Sequence, residues 1–250
     1  MKPASFAFAV LLACVAPAAF AQQPAAPPAT PPAEPAKEAP GLKIRGLSFL
    51  VDAPTAIFAH DPSVTPPLPG VKFDIKNYLN HEYSTVPAKG DGIIFTKSAD
   101  PASVKDAASL VAKAKMPEHF KKGIFVFLPG SGKAGDPAYQ VMVIDDAVRA
   151  FPRGSVKVIN ISRTPVKIVL EKEEFTFKPG ETKLIEDPPV NPNNSSGMIA
   201  YQFKENQWQR FAAGVWPHPG EKRVIELIFE NPTSKRTELQ GIRDVAVRDN

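Results

Sequence analysis

Between Val166 and Phe177 apolar and polar side chains alternate with the period of a strand. Val166, Ile168 and Leu170 fall on one face and Lys167 and Glu171 on the other, while Phe175 and Phe177 point together after a turn. Short runs of the same character, rich in β-branched and aromatic residues, recur from residue 42 onward: LKIRGLSFLVD, VKFDIKNY, GIIFTK, GIFVFL, YQVMVID, SVKVINIS, VKIVLE, EFTF, TKLIE, GMIAYQF, QWQRFAAGVW and RVIELIFE. Turn chemistry separates them. In Lys178-Pro179-Gly180-Glu181 the proline presets φ and the glycine accepts a positive φ, and Asn206 between two aromatic-bearing runs predicts a hairpin.

One segment departs from this pattern. DPASVKDAASLVAKAKMP (100–117) has Asp100 placed as an N-cap, Pro101 at the first helical position, an alanine-rich body and Pro117 as a stop, which predicts a short helix. Its LVAKAK portion also reads as a strand leading into the next hairpin, so helix and strand both stand for 101–116. Frequent strands with little helix predict an all-β chain of two immunoglobulin-like β-sandwich domains, free to pack on one another, with at most one short helix. The turn-like Phe151-Pro152-Arg153-Gly154 is the best internal boundary. It divides an N-terminal β domain (42–151) from a C-terminal β-sandwich (152–250).

Ahead of the strands the composition changes twice. Lys2, the apolar run FAFAVLLACVA and the small–x–small pattern Ala19-Phe20-Ala21 have the form of a signal peptide (1–21) cleaved after Ala21, which predicts a periplasmic or cell-surface protein. Leu11-Leu12-Ala13-Cys14 also has the form of a lipobox, which would leave Cys14 lipidated as an anchor; the Ala-x-Ala pattern is the better formed of the two. Cys14 is the single cysteine, so simple cleavage leaves no disulfide framework and stability must come from buried apolar surface. No second apolar run approaches a membrane span. Residues 22–41 form a Pro/Ala-rich linker, expected to be an extended spacer of roughly 60 Å at ~3.1 Å per residue.

Charge and motifs narrow the chemistry. The formal net charge of +4 is spread among interleaved acids and bases, which argues against nucleic acid as a partner. FLPGSGKAGDP (127–137) resembles a phosphate loop but fails as one. The first glycine position is Phe127, Ala134 replaces the hydroxyl that would hold Mg²⁺, and a strand follows where a helix is needed. It reads as a glycine-rich hairpin loop. Asp145-Asp146 sits at a strand end, with adjacent side chains on opposite faces, and Arg149 or Arg153 could pair with it at the domain junction. His60, His81, His119 and His218 are scattered singly, and the pairs His60-Asp61 and His81-Glu82 read as solvated turns. There is no Gly-x-Ser-x-Gly motif, and no cofactor, metal ligand set or catalytic residue is assigned. The aromatics Tyr201, Phe203, Trp208, Phe211 and Trp216 crowd one stretch. Turned inward they are core; turned outward, Trp216, His218, Trp208 and Tyr201 form a binding surface, with Trp216 beside Pro217-His218-Pro219-Gly220 expected to be exposed.

The run YQVMVIDDAVRAFPRGSVKVINISRTPVKIVLEKEEFTFKPGETKLIEDPP, with GMIAYQFKENQWQRFAAGVWPHPGEKRVIELIFENP after it, resembles uncharacterised exported β-sandwich proteins of Verrucomicrobia-type bacteria. Its middle part, with the strand-ending asparagine of VINIS, the proline-started TPVKIVL and the KPGE turn, is similar to periplasmic accessory proteins of alginate acetylation. The resemblance implies a β-sandwich in the envelope and carries no catalytic residues. The expectation is therefore a non-enzymatic exported protein that binds or assembles with an envelope protein or polysaccharide. The alternative is a carbohydrate-active envelope enzyme using carboxylates from separate strands, with Asp145, Asp146, Glu186 and Asp187 as first candidates.

Overall fold

The computed structural model describes residues 41–79, 82–217, 220 and 222–244. The signal peptide, the linker up to residue 40, His81 and His218 lie outside the described residues. The first half contributes β1 (Leu42–Ser48), β2 (Ile57–His60), β3 (Val71–Phe73), β4 (Ile75–Lys76) and β5 (Ser84–Val86). It continues through β6 (Gly92–Thr96), β7 (Leu110–Lys115), β8 (Lys122–Pro129) and β9 (Tyr139–Asp145). The second half adds β10 (Val156–Asn160), β11 (Val166–Leu170), β12 (Glu173–Phe177) and β13 (Thr182–Ile185). It closes with β14 (Ser195–Lys204), β15 (Gln207–Pro217), β16 (Arg223–Glu230) and β17 (Thr237–Asp244).

These strands form four sheets. Sheet I has the order β3-β2-β6-β7, and sheet II the order β4-β1-β8-β9 with β5 also on β1. Sheet III is β13-β10-β16-β17 and sheet IV is β12-β11-β14-β15. The chain is all-β, as the alternation predicted. Each short-loop expectation holds as well. Gly180 in the KPGE turn has φ 76°, and Glu205 and Asn206 both take positive φ in the two-residue loop between β14 and β15. The glycine-rich stretch after β8 is the hairpin loop to β9. Residues 101–116 divide between the two readings. Asp100 caps a 3-10 turn at Pro101–Lys105 by accepting from the Ala102 N–H (2.9 Å), and LVAKAK is β7.

Three apolar layers separate the four sheets. Ile57, Phe73 and Phe95 of sheet I meet Ile44, Phe125 and Phe127 of sheet II in the first. There Phe95 and Phe127 pack edge-on with centroids 5.1 Å apart. Leu47, Ile124, Val126 and Ile144 then meet Ile159, Ile225, Leu227 and Ile242 of sheet III. In the third layer Val156, Val158 and Ile228 meet Val166, Ile168, Phe177 and Trp216 of sheet IV. The central strands of sheets II and III are therefore buried on both faces. This explains why GIFVFL and VKVIN lack alternation, and why β1–β8 and β10–β16 are parallel pairs, the arrangement found where both faces are covered.

The middle layer also holds a ring of four charges, with Lys157 nearby over the Phe151 ring. Arg45 and Asp146 come from sheet II and its exit, and Arg223 and Asp244 from sheet III; their exposures are 1, 0, 3 and 0%. Arg45 grips Asp244 with both terminal nitrogens (2.8 and 2.9 Å) and reaches Asp146 Oδ2 at 2.8 Å. Arg223 donates to Asp146 Oδ1 at 2.6 Å, to Asp244 Oδ2, and to the Phe151 carbonyl at 3.0 Å. Tyr83 donates its hydroxyl to Asp146 (2.7 Å) and lies under Arg45, while Phe151 lies under Arg223. Burial opposes the Arg45 charge, but the hydrogen bond to Asp244 and the two carboxylates outweigh it and hold the guanidinium above its usual range. Burial likewise raises Asp244, and the bonds and charges of Arg45 and then Arg223 more than reverse this, holding the carboxyl below its usual range. The expectation of a structural ion pair at this junction named the wrong partners. Asp146 pairs with Arg45 and Arg223, because those side chains project from sheets II and III into the layer that Asp146 faces, whereas Arg149 is exposed.

Removing one member strands its partners in a layer closed to water. Asp244→Asn is expected to cost about 3–5 kcal/mol in urea unfolding at pH 7. The Asp244 pKa is depressed on folding, so its contribution is complete above the unfolded value and fades as pH falls through the folded one. Between about pH 4 and pH 2 the variant should therefore lose stability less steeply than the wild-type protein. Parallel slopes in a pH series would remove Asp244 from the acid response.

Candidate functional site

Sheet IV is an outer layer, and its two faces differ sharply. The inner face carries Val166, Ile168, Phe177, Ala200 and Trp216. On the outer face Lys167, Tyr201 and Arg210 stand in one cross-strand row. Phe203 and Trp208 face each other in the row next to the hairpin. Phe203 and Trp208 remain 37 and 39% exposed, with rings in an edge contact of 5.3 Å. The Lys167 ammonium sits 5.5 Å from the Tyr201 ring centre and 5.4 Å from that of Trp208, with Glu174 Oε2 3.3 Å away. The cation thus ties two rings from different strands into one surface. Continuing along β14 and β15, half-buried Ile199 pairs with Ala213, and Val215, 69% exposed, pairs with Gly197. The result is a flat aromatic and aliphatic strip bordered by Lys167, Arg210 and Glu174, seated on paired strands.

Two of the four residues expected at a binding surface, Tyr201 and Trp208, are in this strip. Trp216 is not, and the expectation that it is exposed is corrected: it is 6% exposed and packs in the core between sheets III and IV. Strict alternation would put Trp208 and Trp216 on the same face. A bulge intervenes: Ala200 pairs with Ala212 but Tyr201 pairs with Arg210, so Phe211 is an extra residue in β15. One added residue reverses the faces beyond it and sends Trp216 inward. His218 lies outside the described residues.

Trp216 lines a different feature, a cleft of about 250 Å³ at the sandwich edge, with Met198, Val215, Val224, Glu226, Gly241 and Arg243. Glu226 is half-buried there, and burial pushes its carboxyl up to about 7. No motif signalled this residue. The available sign was one acid among the apolar positions of RVIELIFE.

The carboxylates considered for hydrolysis occupy different environments. Asp146 is closed into the charged ring and bound by Arg45, Arg223 and Tyr83. Asp145 accepts the Ala147 N–H at 2.9 Å, a strand-end role, and Glu186 and Asp187 are exposed after β13. His60, expected in a solvated turn, is a buried strand residue whose Nε2 lies 2.9 Å from Thr96 Oγ1 and 3.0 Å from the Ser98 carbonyl. It pins the 3-10 segment against sheet I together with Ser103, which is 2.9 Å from Thr96 Oγ1. Among the described residues no helix is long and apolar enough to cross a membrane. No protein-family model and no curated protein sequence matches the chain.

The raised Glu226 carboxyl has a stability consequence. The folded protein binds this proton more tightly than the unfolded chain, so the contribution of Glu226 is most favourable below about pH 4.3, falls as pH rises toward the folded value of about 7, and then levels. Glu226→Gln should raise the urea midpoint at pH 8 and leave it nearly unchanged at pH 4. Equal effects at both pH values would show that the carboxyl titrates as an ordinary exposed group.

Proposed function

We propose that the protein is an exported, non-catalytic binding module that presents the outer face of sheet IV to a polysaccharide. The observation that carries this reading is the Tyr201–Lys167–Trp208 stack with Phe203 alongside it, exposed on strands whose opposite face is locked in a core. Sugar rings present flat C–H faces that stack on aromatic side chains, while bordering polar groups engage their hydroxyls and acids. A flat strip suits a polymer lying across it better than a small substrate, which needs enclosure. Arg210, exposed directly opposite Tyr201, favours sugars that bear carboxylates. The leader-like N-terminus and the proline-rich spacer fit such a module held away from an envelope surface, and the resemblance to alginate-acetylation accessory proteins points to the same class of ligand.

Titration calorimetry of the mature protein against neutral and carboxylate-bearing envelope polysaccharides tests this. Trp208→Ala should weaken binding about ten- to thirtyfold, the ~1.4–2 kcal/mol of one well-packed aromatic contact, without lowering the unfolding midpoint. Tyr78→Ala, at a more exposed aromatic in the first half (57%), should leave binding unchanged. If no polysaccharide binds and a crosslinker placed at position 208 captures a single envelope protein, the ligand is that protein and the polysaccharide reading fails.

A further inference from the structure

The edge cleft beside Trp216 shares Val215 with the outer strip but differs from it in shape and chemistry. It is concave, it opens between β15 and β17, and its walls are Trp216 and Met198 from sheet IV and Val224 from sheet III. Among the described residues its charged groups are two. Glu226 points into it from β16, and Arg243, exposed on β17, stands at its mouth. Among the described residues no hydrogen bond or ion pair satisfies the Glu226 carboxyl, and burial alone perturbs it. Room for that carboxyl exists because position 241, directly across the ladder, is glycine; a Cβ there would lie 2.7 Å from Glu226 Oε2. Among the described residues Glu226 is thus a half-buried acid without a partner, seated over a glycine and facing a void.

We propose that this cleft is a binding site for a small amphipathic carboxylate, with its head group held by Glu226 and Arg243 and its apolar body against Trp216 and Met198. Donors and acceptors in the cleft select the head group. Near neutral pH a protonated Glu226 donates a hydrogen bond, and Arg243 supplies a cation with further donors. A head group that accepts from both must be rich in acceptors and anionic, which a carboxylate is. The apolar walls require an apolar body. The volume of about 250 Å³ is just under the ~300–1,000 Å³ typical of drug-sized ligands, so a molecule of about ten heavy atoms fits. Among the described residues Arg243 is the other charged group lining the cleft. The remaining lining from β14, β15 and β17 (Met198, Val215, Trp216, Gly241) is uncharged, and the β10 neighbour of Glu226 is Val158. Ionisation of Glu226 would place an acceptor opposite an acceptor and neutralise Arg243, so binding should weaken as pH rises.

Trp216 reports on the site once Trp208 is replaced, because the chain has two tryptophans. The Trp208→Phe protein is titrated with hexanoate, followed by Trp216 fluorescence and by calorimetry, with 1-hexanol as the uncharged comparison. Saturable hexanoate binding is expected at pH 6, about tenfold weaker at pH 8 as the protonated fraction of Glu226 falls. Glu226→Gln, which keeps the donor, should bind at both pH values with similar affinity. Arg243→Ala should weaken binding at least tenfold at pH 6, and Gly241→Ala should abolish it by displacing the carboxyl. Absence of a saturable response at pH 6, hexanol binding as tightly as hexanoate, or indifference to Arg243→Ala would each overturn the proposal. Arg243 is exposed, so its variant decides the matter even if changes at 226 or 241 impair folding. Since Trp208 is absent throughout, the result does not depend on the polysaccharide reading.

Discussion

The four-charge ring between sheets II and III is the interaction on which the architecture turns. Four stacked sheets leave the central strands of sheets II and III with no face toward water, and apolar burial alone is nondirectional: it drives the sheets together without fixing how they sit. The ring supplies direction. Each side of the layer brings one arginine and one aspartate, so the charges cancel across the junction, and the bidentate Arg45–Asp244 fork tolerates little rotation or sliding. Such a cluster need not add net stability over an apolar replacement, but a partial cluster is costly, and misaligned packings of the two sheets would leave it partial.

Order in the middle layer passes outward through shared strands. β10 and β16 present Ile159, Ile225 and Leu227 to the junction and Val156, Val158 and Ile228 to the core beneath sheet IV. The strands bearing Tyr201 and Trp208 are therefore clamped from below by residues whose neighbours are held by the ring. The bulge at Phe211 does two things at once. It anchors β15 by sending Trp216 inward, and it leaves Trp208 outward beside Phe203. A rigid flat surface and a small edge cleft thus come from the same irregularity, one facing solvent and the other the seam between sheets III and IV.

Much of the fold was legible in the sequence. Every run picked out by its alternation or its apolar content lies on a strand, and the Gly180 and Asn206 turns fall where their chemistry placed them. The strands that escaped are short or polar. Ile57–His60 is four residues long, and TELQGIRD lacks an apolar rhythm because it is the edge of sheet III, with alternate positions facing water. That second omission mattered, since the strand ends on Asp244. Arg45 gave a faint sign as a charge within an apolar run, but no spacing connects it to an aspartate 199 positions away.

Local patterns therefore determined the class of structure: β-branched runs and turns that need a positive φ. Which face each tryptophan takes, which arginine meets which aspartate, and whether an acid is solvated or pressed over a glycine were decided by the tertiary structure alone. The physical reason is that strand alternation specifies two faces without saying which is covered, and a single extra residue exchanges them. Charge pairing and pKa depend on distances between strands remote in the chain, and those distances exist only once the four sheets have stacked.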